Sequence, residues 1–518
     1  MRQETWQLRK PAVRGTGGLV AAQHGIAAEV GAEVLREGGN AVDAAIAASL
    51  AVSVVEPWMS GLGGGGFMII AGADGRAAEV IDFAMVAPAG LDPADYQLAG
   101  GRDADLFGWP AVRGERNVHG PLAVAVPAQA AGLGLAHRMH GTIPWADLCR
   151  PAIALAREGL PVGWYASLRI AAAARDLARF EHARDTYLPD GLPPLPEADG
   201  RLGRLPLGRL AATLERLAEA GPDDLITGAL ARLLVEDVRA AGGRLSLDDL
   251  VRYRVRSLPA LAIGHGEAVV HAAPGLSAGP TLAHALSLIR GRVPPGLPGP
   301  EAYVAWAEAL SAAYEERLVT MGDVDERRDP ASTTHLCMVD RDGTMVSLTQ
   351  TLLSVFGSKV ISPQTGILLN NGIMWFDPRP GRPNSIAPGK RPLSNMCPVI
   401  ASRGGRPWLA LGASGGRRIL PAVTQIASML IDCGLDLESA FHAPRIDASG
   451  EPRITASVRL PAQALSALER GFEVLRVEPL VAPNLFACPS AVLRDPAGSE
   501  AVGMTDPVNP VAGVAPAA

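Results

Sequence analysis

Two runs of β-branched and apolar residues, 333–340 and 344–351, flank the tripeptide Arg341-Asp342-Gly343. They predict a β-hairpin, because a three-residue loop of this kind puts glycine where the backbone needs positive φ. Counting outward from the loop, Asp340 faces Thr344 and Thr333 faces Thr351. Two hydroxyls then lie on neighbouring strands, on one face of a sheet. Taken alone, such a pair is an ordinary cross-strand contact.

The composition agrees with a large layered protein. The chain has 518 residues, 48% hydrophobic and 19% charged, with 58 Gly and 43 Pro to supply many tight turns. A formal net charge of -6, with basic residues scattered singly or in pairs, argues against nucleic-acid binding. The five cysteines (Cys149, Cys337, Cys397, Cys433, Cys488) show neither metal nor C-x-x-C spacing. They read as free, buried side chains of a reducing compartment. No apolar stretch follows the charges of the first fifteen residues, so a cytoplasmic location without a secretory signal is expected. The longest uncharged apolar run, 44–55, is too short to span a bilayer.

Periodicity predicts helices over 26–37, 41–54, 128–140, 145–158, 206–220, 223–241, 246–253, 301–319, 420–433 and 462–470, and another starting at Thr281. Asn40 is placed to cap the second of these. Strands are predicted over 67–71, 78–82, 265–273 and 408–413. Residues 1–18 read as a loose arm, and 165–200 give no clear element. The run Ser60-Gly61-Leu62-Gly63-Gly64-Gly65-Gly66 invites a phosphate-loop reading. It lacks the following Lys-Ser/Thr and leads into an apolar strand, so close backbone packing is favoured.

Residues 332–377, STTHLCMVDRDGTMVSLTQTLLSVFGSKVISPQTGILLNNGIMWFD, resemble the start of the small subunit of γ-glutamyltranspeptidases. In that family the chain cuts itself before the first Thr of a T-T-H-x-x-x-V-D-x-D-G motif, and that Thr becomes an N-terminal nucleophile. The resemblance extends to LREGGNAVDAAIA at 35–47, to residues 118–162, to KRPLS at 390–394 and to GMTDP at 503–507. It implies an α/β fold, the four-layer αββα sandwich of N-terminal nucleophile hydrolases. The element pattern agrees with that fold but does not single it out. It also implies a cut between Ser332 and Thr333, giving a large subunit 1–332 and a small subunit 333–518 within one domain, a pair free to dimerise further. Thr333 is the implied nucleophile and Thr351 its hydrogen-bond partner. Gly415 and Gly416, between a predicted strand and helix, are the implied oxyanion hole. Ser394 lines the acyl pocket, with Asn395 replacing the family's second Ser. No cofactor and no metal is implied. An N-terminal Thr needs no histidine, since its own α-amine, with a pKa of about 7.7–8.0, takes the hydroxyl proton.

The departures from the family concentrate at the acyl-binding positions. The Arg that clamps the α-carboxylate of a γ-glutamyl group is Ala84 here. The Asn that contacts the amine is Leu353, and the Asp that pairs with the ammonium is Trp375. A methyl group cannot replace a bidentate guanidinium. The family's lid is also missing, since Pro383-Asn384 leads almost directly to Pro388-Gly389-Lys390-Arg391. Lid-less relatives include oxamate amidohydrolase and cephalosporin acylases. Two cations are new, Lys359 and Arg417; either could meet an acyl carboxylate or be a solvated surface charge. Only the polar run 322–332 separates the preceding helix from Thr333, where the family has several tens of residues. The resemblance therefore implies an amidohydrolase or acyltransferase acting on a small-molecule amide whose acyl group is altered from γ-glutamyl. A true γ-glutamyltransferase or glutathione hydrolase, a non-catalytic binding protein on the same fold, and a nucleotide binder are the alternatives.

Overall fold

The computed structural model describes residues 8–102, 109–321, 332–450 and 453–518. Of the predicted linker 322–332, all but Ser332 lies outside the described residues. The hairpin forms with strands Ser332–Asp340 and Met345–Leu353, Val339 opposite Met345 and His335 opposite Thr349. Gly343 takes φ 96 in the turn. The Asp340 carboxylate accepts the N–H groups of Asp342, Gly343 and Thr344 at 3.1, 3.0 and 2.9 Å. The register follows the count from the loop as far as Thr334, opposite Gln350. It then slips, so that Ser332 stands opposite Leu353. Thr333 lies within that irregularity, across from the pair Thr351-Leu352. A bulge of this kind bends the strand and re-aims a side chain.

Among the described residues the hairpin is the centre of a seven-stranded antiparallel sheet. Its order is Gly513–Pro516, Gly18–Ala22, Ser332–Asp340, Met345–Leu353, Gly65–Ala71, Glu79–Phe83, Arg256–Pro259. A second seven-stranded sheet runs Val13–Gly15, Ala501–Thr505, Cys488–Arg494, Arg406–Ser414, Val399–Arg403, Ala268–Ala272, Leu261–His265. Strand alternation sorts the hairpin residues to two faces. Leu336, Met338, Val346 and Leu348 join a core shared with the helices Gly25–Arg36, Ala41–Val55, Gln129–His140 and Trp145–Glu158. Cys337, Val339 and Met345 meet Ile400, Ala410 and Val492 of the second sheet. The outer face of that sheet is covered by Gly279–Ile289, Pro300–Thr320, Ile419–Ile431 and Ala462–Gly471. The layers are therefore helix, sheet, sheet, helix, as the αββα fold requires.

Helix Ala41–Val55 is buried on all sides, which its predominantly apolar sequence predicts. Asn40 caps it, accepting from Val42 and Asp43 at 2.8 and 3.0 Å, while the Asp43 carboxylate returns to the Asn40 N–H at 3.0 Å.

Several expectations need correction. Of the predicted loose arm 1–18, residues 1–7 lie outside the described residues, and Val13–Gly15 is a strand paired with Ala501–Thr505. Three residues are too few to show alternation. The predicted strand 265–273 is the second half of a hairpin, Leu261–His265 with Ala268–Ala272, that turns at Gly266. The unread stretch contains helices Trp164–Leu177 and Glu181–Tyr187. The helix predicted over 223–241 spans only Ala229–Ala240. Asp224 breaks the longer pattern by turning its carboxylate onto the N–H groups of Ala229 and Leu230, at 3.0 and 3.1 Å.

Candidate active site

The glycine run sets the backbone around Thr351. Strand Gly65–Ala71 pairs with the hairpin so that Gly65 stands opposite Thr351 and Gly66 opposite Gln350. A Cβ on Gly64 would fall on the Thr351 carbonyl oxygen, and one on Gly66 on the Thr349 carbonyl oxygen. A Cβ on Gly63 would strike the Leu368 carbonyl. The run is there for close backbone approach, and it enters a strand; both facts speak against a phosphate cradle. Asn370 locks the far side, donating to the carbonyls of Gly63 and Ala125 at 2.6 and 3.0 Å.

The hydroxyl of Thr333 donates to that of Thr351 at 3.3 Å, and the Leu353 N–H donates to the Thr351 hydroxyl at 2.8 Å. Leu353 has φ 86, the left-handed region that a branched side chain rarely adopts. Such strain costs about 1–3 kcal/mol and persists only where the surroundings impose it. Ser354 supplies part of that constraint, its N–H held by the Asn371 side chain at 2.9 Å.

The second sheet brings the glycine pair to the same end. Ser347, opposite Cys337 in the hairpin, donates across the sheets to the Leu411 carbonyl at 3.1 Å. The His335 ring occupies the space where Gly412 would carry a Cβ. Stepping back from Cys337 to His335 thus accompanies stepping forward from Leu411 to Gly412, so the Thr333 end of the hairpin lies on the side where strand Arg406–Ser414 ends. There Gly415 and Gly416 turn the chain with φ 138 and 57. Gly416 opens a 3₁₀ turn, Gly416–Arg418, that runs into helix Ile419–Ile431. N–H groups at such a start have no carbonyl one turn back and favour negative charge. His335 bonds to the Thr349 hydroxyl at 2.8 Å and the Cys337 sulfur at 2.9 Å. Burial pulls its imidazole down to about 3, so it is neutral at working pH and serves packing.

The acyl-side candidates fall into groups. Ala84 is buried, and its carbonyl accepts from the Tyr253 hydroxyl at 2.8 Å and Arg391 Nη1 at 3.0 Å. The guanidiniums of Arg391 and Arg256 are both engaged by Asp82. Trp375 is buried beside the shortened turn, where Asn384 donates to the Trp375 carbonyl at 2.7 Å and accepts from the Leu393 N–H at 3.1 Å. The Arg417 guanidinium sits 5.8 Å over the ring of Trp109, whose indole N–H donates to the Met374 carbonyl at 3.1 Å. The residue after the glycine pair is thereby tied to the segment that carries Trp375. Tyr314 donates to the Arg417 carbonyl.

Ser394 and Asn395 are held by Arg317, which donates to the Ser394 carbonyl at 2.6 Å and to Asn395 Oδ1 at 3.3 Å. Burial pulls the Arg317 guanidinium down to about 10, so it remains charged at neutral pH. Lys359 is buried rather than a solvated surface charge. It is grouped with His119 and Arg179, and their charges add to burial in drawing the His119 imidazole down to about 3.

Trp109 and Arg317 carry no local signal in the sequence. Trp109 belongs to no periodic element, and Arg317 reads as an ordinary polar position of a long helix. Among the described residues no cluster of His, Cys, Asp or Glu could hold a metal ion. The five cysteines are unpaired. No helix among the described residues is long and apolar enough to cross a membrane.

The family model for gamma-glutamyltranspeptidase matches residues 27–330 and 324–515. The chain is 36% identical over 524 residues to the acylase ACY 1 proenzyme of Pseudomonas sp. (strain V22), covering 92% of this chain and 90% of that protein. It is 32% identical over 492 residues to the glutathione hydrolase proenzyme of Escherichia coli (strain K12), covering 84% and 81%. Among solved structures it superposes on the cephalosporin acylase from Bacillus halodurans with a TM-score of 0.85 and 25% identity, over 100% of this chain and 99% of that one.

Proposed function

The chain belongs to the γ-glutamyltranspeptidase family, and we propose that within it Thr333 is the nucleophile, freed when the chain cleaves itself after Ser332. The chain is an amidohydrolase or acyltransferase of the N-terminal nucleophile type. The observation that carries the assignment of Thr333 is its hydroxyl, 3.3 Å from that of Thr351 at the bulge. Cleavage yields a large subunit, 1–332, and a small subunit, 333–518. The relatives named as proenzymes support such processing.

In each turnover the Thr333 α-amine takes the hydroxyl proton and the oxygen attacks the substrate amide carbonyl. The oxyanion is met by the N–H groups of Gly415 and Gly416, each worth about 3–4 kcal/mol in comparable sites. Collapse expels the amine with the proton and leaves an ester on Thr333. Water or a second amine then takes the acyl group. Thr351 fixes the rotamer of Thr333.

The acyl group we propose lacks a free α-amino acid head. Ala84, Leu353 and Trp375 are buried and apolar where a carboxylate and an ammonium would need charged partners. Burying either group unpaired costs several kcal/mol. Arg417, held against Trp109, is suited to a distal carboxylate, and Trp375 to an apolar segment. Small dicarboxylic acyl amides fit both features. The names of two relatives, acylase ACY 1 and cephalosporin acylase, support an acyl group other than γ-glutamyl. The five unpaired cysteines support a reducing, cytoplasmic setting.

The test is kcat/KM for γ-glutamyl, glutaryl and oxamyl amides side by side, with mass spectrometry of the Thr333 peptide. We expect an acyl adduct on Thr333 and a preference for the glutaryl or oxamyl compound. A clear preference for the γ-glutamyl amide contradicts the acyl assignment, and an adduct elsewhere contradicts the nucleophile.

A further inference from the structure

Helix Ala41–Val55 ends at Glu56 because Pro57 follows and cannot continue it. The four residues 56–59 form a tight turn, the Met59 N–H donating to the Glu56 carbonyl at 3.0 Å. Two groups of this turn reach the hairpin and a third reaches the chain just after it. The Thr334 hydroxyl donates to Glu56 Oε2 at 2.8 Å. The Met59 carbonyl accepts the Leu352 N–H, and the Trp58 carbonyl the Phe356 N–H, both at 3.1 Å. One short turn therefore grips both sides of the bulge, at Thr334 on one strand and Leu352 on the other.

Glu56 is 1% exposed and Thr334 is fully buried. A carboxyl group is a poor choice for packing alone, because an apolar side chain of equal size would fill the space without desolvation. The charged and titratable groups facing it come from two further elements. Arg169 and Tyr165 stand on helix Trp164–Leu177, and Arg169 Nη2 lies 3.8 Å from the Met59 sulfur. Cys488 stands on the strand Cys488–Arg494, with Asp506 and its partner Arg445 beyond it. Burial, the largest influence, pushes the Glu56 carboxyl up to about 8, against the pull of Thr334 and Arg169. A group that holds its proton at neutral pH accepts from Thr334 without placing a full charge in the core.

We propose that Glu56 is a positioning residue for the enzyme's chemistry: through the Thr334 hydroxyl it fixes the bulge and so aims the Thr333 hydroxyl at the bond to be cleaved. The inference rests on Thr333 being the nucleophile. Thr334 faces the helical layer and Thr333 the space between the sheets, so Glu56 acts from behind the strand and touches no reacting atom.

Self-cleavage reads this out without knowledge of the substrate. Full-length chains are synthesised in a short pulse, and conversion to 1–332 and 333–518 is followed by gel at neutral pH. Circular dichroism melting reports folding. Thr334→Val and Glu56→Ala should each slow conversion by about ten-fold or more, the effect of a lost buried hydrogen bond. The double variant should be no slower than the slower single one, because both remove the same contact. Glu56→Gln, which keeps an acceptor and no charge, should stay within about three-fold of wild type. Multiplying effects, or Glu56→Gln as slow as Glu56→Ala, would overturn the proposal. If Glu56→Ala fails to fold, Thr334→Val decides alone: slowed conversion supports the proposal and an unchanged rate overturns it. A Thr333→Ala chain that is still cut removes the nucleophile itself. An uncut Thr333→Ala chain beside a Thr334→Val chain cut at the wild-type rate removes only the role of Glu56.

Discussion

The imidazole of His335 occupies the space that a side chain at Gly412 would need, and this contact joins the two sheets just behind the hydroxyl pair. His335 is fully buried and held on both ring nitrogens, so the ring has no alternative position. Gly412→Ala should therefore destabilise the chain by about 1–3 kcal/mol, as overpacking does. It should also displace Gly415, three residues on. Denaturant unfolding measures the first effect and the rate of self-cleavage the second. A Gly412→Ala protein of wild-type stability would mean that the sheets are not clamped at this point.

Thr351→Val should leave the fold intact and slow both processing and turnover. The variant removes the acceptor of the Thr333 hydroxyl and of the Leu353 N–H while keeping the shape of the side chain. Each lost hydrogen bond costs about 0.5–1.5 kcal/mol in the ground state, and more if it tightens during reaction. Unchanged rates would remove Thr351 from the site.

Glu56 gives the stability of the chain a defined pH dependence. Its ordinary carboxyl value is 4.5, and burial in the folded chain raises it to about 8. Between these values the unfolded chain has released the proton that the folded chain retains. The contribution of Glu56 is therefore full below about 4.5 and declines as pH rises to about 8, at up to about 1.4 kcal/mol per pH unit. Unfolding in urea, on the uncut Thr333→Ala chain to keep the transition simple, should show this decline between pH 5 and 8. Glu56→Gln should flatten it. Parallel curves for the two chains would show that Glu56 titrates normally.

The hairpin was legible because two local signals agree: a pair of β-branched, apolar runs and the glycine of the loop between them. Helix Ala41–Val55 was legible for the same reason, Asn40 marking its start and Pro57 its end. The irregularity at Thr333 was not legible, since the count from the loop runs straight through it. It is flanked by contacts from outside the hairpin, made by the turn at residues 56–59 to Thr334 and Leu352. Glu56, Trp109 and Arg317 were missed on the same ground. Each makes its defining contact with residues tens to hundreds of positions away, and nothing local marks it. Leu353 was singled out only for the Asn it replaces; its positive φ goes with a distant contact, Asn371 holding the next residue. The candidate site thus came from motifs, and the contacts that hold it came from the fold.

The bond before Thr333 decides whether Thr333 is the nucleophile. Freshly purified wild-type protein should be run on a denaturing gel beside Thr333→Ala, and the smaller fragment sequenced from its N-terminus. We predict two fragments from the wild type, the smaller beginning Thr333-Thr334-His335, and a single uncut chain from Thr333→Ala. A wild-type enzyme that is active yet runs only at full length, or a small fragment beginning at any other residue, would contradict the assignment of Thr333 as the nucleophile.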